Sequence, residues 1–112
     1  METETVVLPT CVLLSVKGGF RHADRAEFTA AVDRALHPGC TKVLLDLREV
    51  SFVDSTALGV LAMVYHQLKR RQVEFGLLRP TDTVRRLLTI SGIPKIITIY
   101  DHEPDAIIPH AA

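Results

Sequence analysis

Asp54, Ser55 and Thr56 stand together in VSFVDSTALGVLAM (50–63), a carboxylate and two hydroxyls between two strongly apolar runs. Such a cluster can do two kinds of chemistry. An oxygen of Asp54 or Ser55 can accept hydrogen bonds from the first free N–H groups of a helix that begins near Thr56, which is a cap. A hydroxyl at the same place can instead carry a covalent switch. Phosphate on Ser55 would add about −1.5 to −2 charge at the helix end that favours anions, so the fold would survive while the surface changed. A partner that buries Ser55 in its dephosphorylated form would then meet an unpaired dianion, which is expensive to desolvate.

Enzyme constellations are absent from the sequence. A hydrolase nucleophile elbow needs G-x-S-x-G, and V-D-S-T-A around Ser55 supplies neither glycine. His22, His37, His66, His102 and His110 are isolated, and none makes HExxH or another metal-site spacing. Gly18-Gly19 lacks the rest of a phosphate cradle, so neither a metal nor a cofactor is expected. VLLDL resembles the strand that carries the phospho-accepting aspartate of a response-regulator receiver, which would cast Asp46 as acceptor. Receivers also need an acidic pair after the first strand to hold Mg²⁺, and here that place has uncharged residues and Lys17-Gly18-Gly19. A binding module fits better than an enzyme.

The elements that must position the cluster follow from periodicity. Val6 to Val16 reads as a hairpin or bent strand with an irregularity at Pro9-Thr10, ended by Gly18-Gly19. Asp24 with Glu27 three residues on reads as a capping box, and Phe28, Ala31, Val32, Ala35 and Leu36 fall on one helical face stopped by Pro38-Gly39. Lys42 to Leu47 reads as a buried strand. Thr56 to Arg71 is helical, with Leu58, Leu61, Ala62, Tyr65 and Leu68 on one stripe and Val60 and Val64 on a second. Val73 to Leu78 is a strand, Thr81 to Ser91 a helix with Val84, Leu87 and Leu88 inward, and Lys95 to Tyr100 the last strand. A short helix after Pro104 ends by Pro109. This alternation predicts one α/β domain over 1–112, with a mixed central sheet of about four to five strands and about four helices. Sites in such sheets gather where strand C-termini meet helix N-termini, and Asp54-Ser55-Thr56 lies at one of those junctions.

Composition narrows the function further. Thirteen basic residues balance 13 acidic ones in 112, so the basic excess of a nucleic-acid binder is missing. Lys69-Arg70-Arg71 sits where cations complement a helix C-terminus. No apolar run approaches a membrane span, and the acidic N-terminus lacks the basic opening of a secretory signal, so a cytoplasmic protein is expected. Cys11 and Cys40 read as small buried hydrophobes in a reduced compartment, with a regulatory disulfide between them as the alternative.

DLREVSFVDSTALGVLAMVYHQLKRR, followed by PTDTVRRLLTISGIPKIITIYD, resembles the STAS domain of bacterial anti-sigma-factor antagonists. The most specific element is D-S-[ST]-[GA]-L-G, present as Asp54 to Gly59. The resemblance implies the STAS fold and phosphorylation of the serine after the aspartate, Ser55, with Asp54 and Thr56 as helix cap and support. It implies an anti-sigma factor with serine kinase activity as partner, bound by the dephosphorylated form, and a PP2C-type phosphatase that restores it. The partner surface is expected at Arg21, Ala57, Leu58, Val60 and Val64, with Val60 and Val64 the more exposed of the apolar set. Homodimerisation stays open. Arg21 stands where the family usually has an aspartate that is expected to face the kinase. Ala57 replaces a frequent glycine. The alternative is a STAS scaffold without phosphorylation, such as a stressosome or transporter accessory subunit; Arg21 leans that way, and the intact triplet leans toward the switch.

Overall fold

Val12, Leu14 and Val16 alternate with Leu13, Ser15 and Lys17, the two-residue period that turns the faces of a strand toward different surroundings. The computed structural model, which describes residues 1–102, places them in the second of five strands. The elements run β1 (Glu2–Val7), β2 (Cys11–Phe20), α1 (Arg25–Ala35), β3 (Lys42–Val53), α2 (Ser55–Arg70), β4 (Glu74–Leu78), α3 (Asp82–Ser91) and β5 (Thr98–Tyr100). Single 3₁₀ turns lie at His22–Asp24 and Ile93–Lys95.

The strands lie side by side in chain order. β1 pairs antiparallel with β2 through the turn at Pro9-Thr10, and every later pairing is parallel. Each parallel step therefore needs a helical crossover, and crossovers of one hand that advance in one direction bring their helices to the same face of the sheet. The main core forms there. Val12, Leu14, Val16, Val43, Leu45, Leu47, Phe75 and Leu77 from the strands meet Phe28, Val32, Leu61, Val64, Val84 and Leu88 from all three helices. Phe20 and Phe28 stack with ring centroids 4.8 Å apart. On the other face Cys11, Leu44 and Leu78 form a small second cluster with Leu8, Leu13 and Tyr100.

Several expectations need revision. Three α-helices are present among the described residues rather than about four, and the helix expected after Pro104 lies outside them. Gly18-Gly19 do not end β2. The pairing with β3 runs on to Phe20–Val53 through two register shifts, and Gly18 takes φ +91°, a conformation that costs glycine little. β3 extends with it to Val53, well past Leu47, where the shifts break the alternation that marks a strand in sequence. Asp24 does not head a box with Glu27. It sits at the third position of the 3₁₀ turn, where its Oδ2 accepts from the Arg21 backbone N–H at 2.9 Å. Leu87 is half-buried, whereas Val84 and Leu88 point fully inward. β5 shortens to three residues because Pro94, with its fixed φ and no N–H, holds Ile93–Lys95 in a turn. α3 has the expected ends: Thr81 Oγ1 accepts from the Val84 N–H at 3.3 Å, and Gly92 closes the helix at φ +83°.

Candidate functional site

The last pair of the β2–β3 ladder is Phe20 with Val53, and the Asp54 N–H extends it by donating to the Phe20 carbonyl at 3.2 Å. Asp54 is the N-cap of α2 in extended backbone conformation. Its Oδ1 accepts from the Ala57 N–H at 2.8 Å, and its Oδ2 accepts from the His22 N–H at 2.9 Å. One carboxylate thus ties the start of the helix to the connection between β2 and α1. The Ala57 N–H, and then the His22 N–H, favour the ionised form and hold this carboxyl below the ordinary aspartate value.

With the cap made by Asp54, the Ser55 side chain is left over. Ser55 is the first residue of α2, exposed, and its hydroxyl makes no hydrogen bond among the described residues. Thr56 is half-buried beside it. Arg21 is exposed and lies back over the sheet end, its guanidinium carbon 5.0 Å from the centroid of the Phe52 ring. Gly19, paired with Phe52, makes room for it, because a Cβ there would collide with the Arg21 guanidinium.

The structure brings Asp54, Ser55, Thr56 and Arg21 to one corner, but it corrects the expected apolar surface. Val60 and Val64 are buried, at 5% and 2% exposure, and Ala57 is completely buried. Ala57, Val60, Leu61, Val64 and Leu68 form the stripe that faces the sheet. The two stripes legible in the sequence fit a helix equally well. Contact with the sheet selects between them, and Val60 and Val64 take the inner side. Of the residues assigned to a partner, Leu58 is half-buried and Arg21 exposed. The sequence reading missed Phe52 and Met63, which are 40% and 41% exposed. Phe52 stays hidden in a strand whose bulges break its period. Met63 carries a signal, since it falls outside both apolar stripes.

Asp46, the aspartate of the rejected receiver reading, is buried in mid-strand; it accepts from the Arg48 N–H at 2.9 Å and faces the Arg48 guanidinium at 3.6 Å. No cluster of three metal-ligating side chains occurs among the described residues, and no described helix is long and apolar enough to cross a membrane. A groove of about 490 Å³, lined among others by Lys42, Tyr65, Lys69, Phe75 and Tyr100, opens at the opposite end of α2 and includes none of the predicted site residues.

A mixed sheet laid out in chain order, with helical crossovers and an exposed serine beside the aspartate cap of the second helix, matches a known domain class. Residues 2–106 match the family model described as "STAS domain", and the chain belongs to that family. Among curated relatives it is similar to the anti-sigma F factor antagonist of Paenibacillus polymyxa, 35% identical over 68 residues, which cover 61% of this chain and 58% of the relative. It is also similar to the anti-sigma-B factor antagonist of Listeria monocytogenes, 42% identical over 59 residues, which cover 53% and 52%. The matches thus take in less than two thirds of those relatives' lengths. Among solved structures, an anti-sigma factor antagonist from Mycobacterium paratuberculosis superposes with a TM-score of 0.82 at 23% identity, covering 95% of this chain and 90% of that one. The anti-sigma factor antagonist SpoIIAA in its unphosphorylated form gives 0.78 at 22% identity, with 95% and 93% covered. A sulfate transporter family protein from Wolinella succinogenes also gives 0.78, at 18% identity, with 91% and 85% covered. At these identities the superpositions show the fold.

Proposed function

We propose that this STAS domain is an anti-sigma-factor antagonist, a regulatory binding protein of the cytoplasm rather than an enzyme, with Ser55 as its phosphorylation switch. The observation that carries the reading is the division of labour at the start of α2. Asp54 makes the cap, so the Ser55 hydroxyl is exposed and, among the described residues, unengaged at the helix tip. A serine that is not needed for the cap can be modified without unfolding the helix.

In this reading the dephosphorylated surface around Ser55, with Arg21, Phe52, Leu58 and Met63, docks on an anti-sigma factor that has serine kinase activity, and the sigma factor is released. The kinase transfers the γ-phosphoryl of ATP to Ser55 Oγ with release of ADP and the hydroxyl proton. The resulting dianion is too costly to bury against the same partner. A PP2C-type phosphatase hydrolyses the phosphoserine and resets the domain. The names of the curated relatives support the partner class. A second reading, a constitutive scaffold, is favoured by Arg21, which covers Phe52 within the surface a kinase would need.

A cytosolic pull-down separates the two, with wild type, Ser55→Ala and Ser55→Asp as baits. The switch predicts an ATP-binding kinase retained by wild type and Ser55→Ala and lost with Ser55→Asp. Identical partners for all three would leave Ser55 without a switching role and favour the scaffold.

A further inference from the structure

Arg21 is placed by two contacts that bracket it. The residue before it accepts from the Asp54 N–H at 3.2 Å, and the residue after it donates to Asp54 Oδ2 at 2.9 Å. The Arg21 backbone therefore runs alongside Asp54, and the next residue along that chain is Ser55. Yet the Arg21 guanidinium forms no ion pair among the described residues and rests over the exposed ring of Phe52 instead. A cation–π contact at an exposed site holds an arginine only weakly. A charge-assisted, bidentate contact with a phosphate is stronger and suits the planar guanidinium fork.

We propose that Arg21 is an intramolecular receptor for phosphate on Ser55. On phosphorylation the guanidinium leaves the Phe52 ring and turns to the phosphate, so one event both neutralises part of the new charge and uncovers an aromatic side chain. Two surfaces result. The dephosphorylated corner presents a free hydroxyl with a cation spread over Phe52, and the phosphorylated corner presents a paired phosphate with Phe52 bare. This inference rests on Ser55 as the modified residue and adds a reason for an arginine at position 21. It also removes the conflict between Arg21 and the switch, since the cation then acts within the chain.

The charged neighbours of the phosphate come from each side of the corner. Asp54 before α2 opposes it; Arg21 and His22 from the β2–α1 connection favour it. Asp24, on the same connection, is occupied by the Arg21 N–H. His22 also stands at this corner, its N–H held by Asp54 Oδ2, so its part must be separated from that of Arg21.

The test uses the full chain with phosphoserine installed at position 55 during translation, which needs no partner kinase. The second ionisation of the phosphate is followed by ³¹P NMR in low salt, in the wild-type background and in Arg21→Ala, Arg21→Lys and His22→Gln. Removal of Arg21 is expected to raise the phosphate pKa by several tenths of a unit up to about 1, as loss of an adjacent opposite charge does. Arg21→Lys should restore part of the shift. The effect of Arg21→Ala should persist when it is measured in the His22→Gln background. The ring resonances of Phe52 should move on phosphorylation in wild type and much less in Arg21→Ala. Equal phosphate pKa values with and without Arg21 would overturn the proposal, as would a shift that disappears in His22→Gln. Failure of the kinase to bind would show only in the pull-down, so the two readings fail separately.

Discussion

The β2–β3 ladder has two halves that behave differently. From Cys11–Lys42 to Ser15–Asp46 the register is unbroken, and Val43 to Leu47 are buried without interruption. Beyond Ser15–Asp46 and on to Phe20–Val53 the register shifts twice, and Arg48, Glu49, Ser51 and Phe52 reach the surface. The first half is closed on both faces and serves packing. The second half delivers Arg21, Phe52 and Asp54 to the corner where α2 begins. Regular pairing suits a core because every position has a fixed neighbour. Irregular pairing suits a site because each bulge re-aims the residues beyond it.

Substitutions in the two halves should differ most when the inner one is truncated. Leu45→Ala is expected to cost about 2–5 kcal/mol in urea unfolding, the range for a leucine lost from a closed core. Phe52→Ala in the outer half should stay within about 0.5 kcal/mol, as at an open surface position. Equal losses would erase the distinction. Gly18→Ala addresses the bulge itself. A Cβ at Gly18 meets no atom within 4 Å, so the expected cost of about 1–3 kcal/mol comes from backbone strain at φ +91° alone.

Asp54→Asn probes the join between the two elements and should lower the thermal midpoint by several degrees at neutral pH. Its pH dependence has a definite direction. The folded-state pKa is depressed, so the carboxylate's contribution is complete above the unfolded value of 3.8 and is lost as pH falls through the folded value. The midpoints of wild type and Asp54→Asn should therefore converge in acid; a constant gap would mean that the charge plays no part. The smallest effect concerns the inner half. Burial pushes the Cys11 thiol above its usual range, and Cys11 and Cys40 are both free and buried. Iodoacetamide at pH 8 should modify neither until the protein is unfolded in urea, read by mass.

This contrast also explains what the sequence disclosed. The element order, the α/β class and the core-facing side chains of α1 were legible because their periods are clean. So was the cluster at 54–56, since an aspartate followed by a helical pattern identifies its own cap. The outer half of the ladder was not. Two bulges remove the alternation that marks a strand, so Gly18-Gly19 resembled an ending and Phe52 had no assignable face. The rotation of α2 failed for another reason. Leu58, Leu61, Tyr65 and Leu68 make as good a stripe as Ala57, Val60, Val64 and Leu68, and only contact with the sheet selects between them.

The order of the strands has a kinetic consequence. β1 and β2 are joined by a short turn, so their pairing closes a small loop and can form early. Each parallel pairing after that must wait for a whole crossover to compact, β3 on β2, β4 on β3 and β5 on β4. Until β3 docks, β2 offers an open edge rich in valine and leucine. During synthesis that edge precedes the residues that will cover it, and this nascent interval is when the chain is most exposed to pairing with a neighbour.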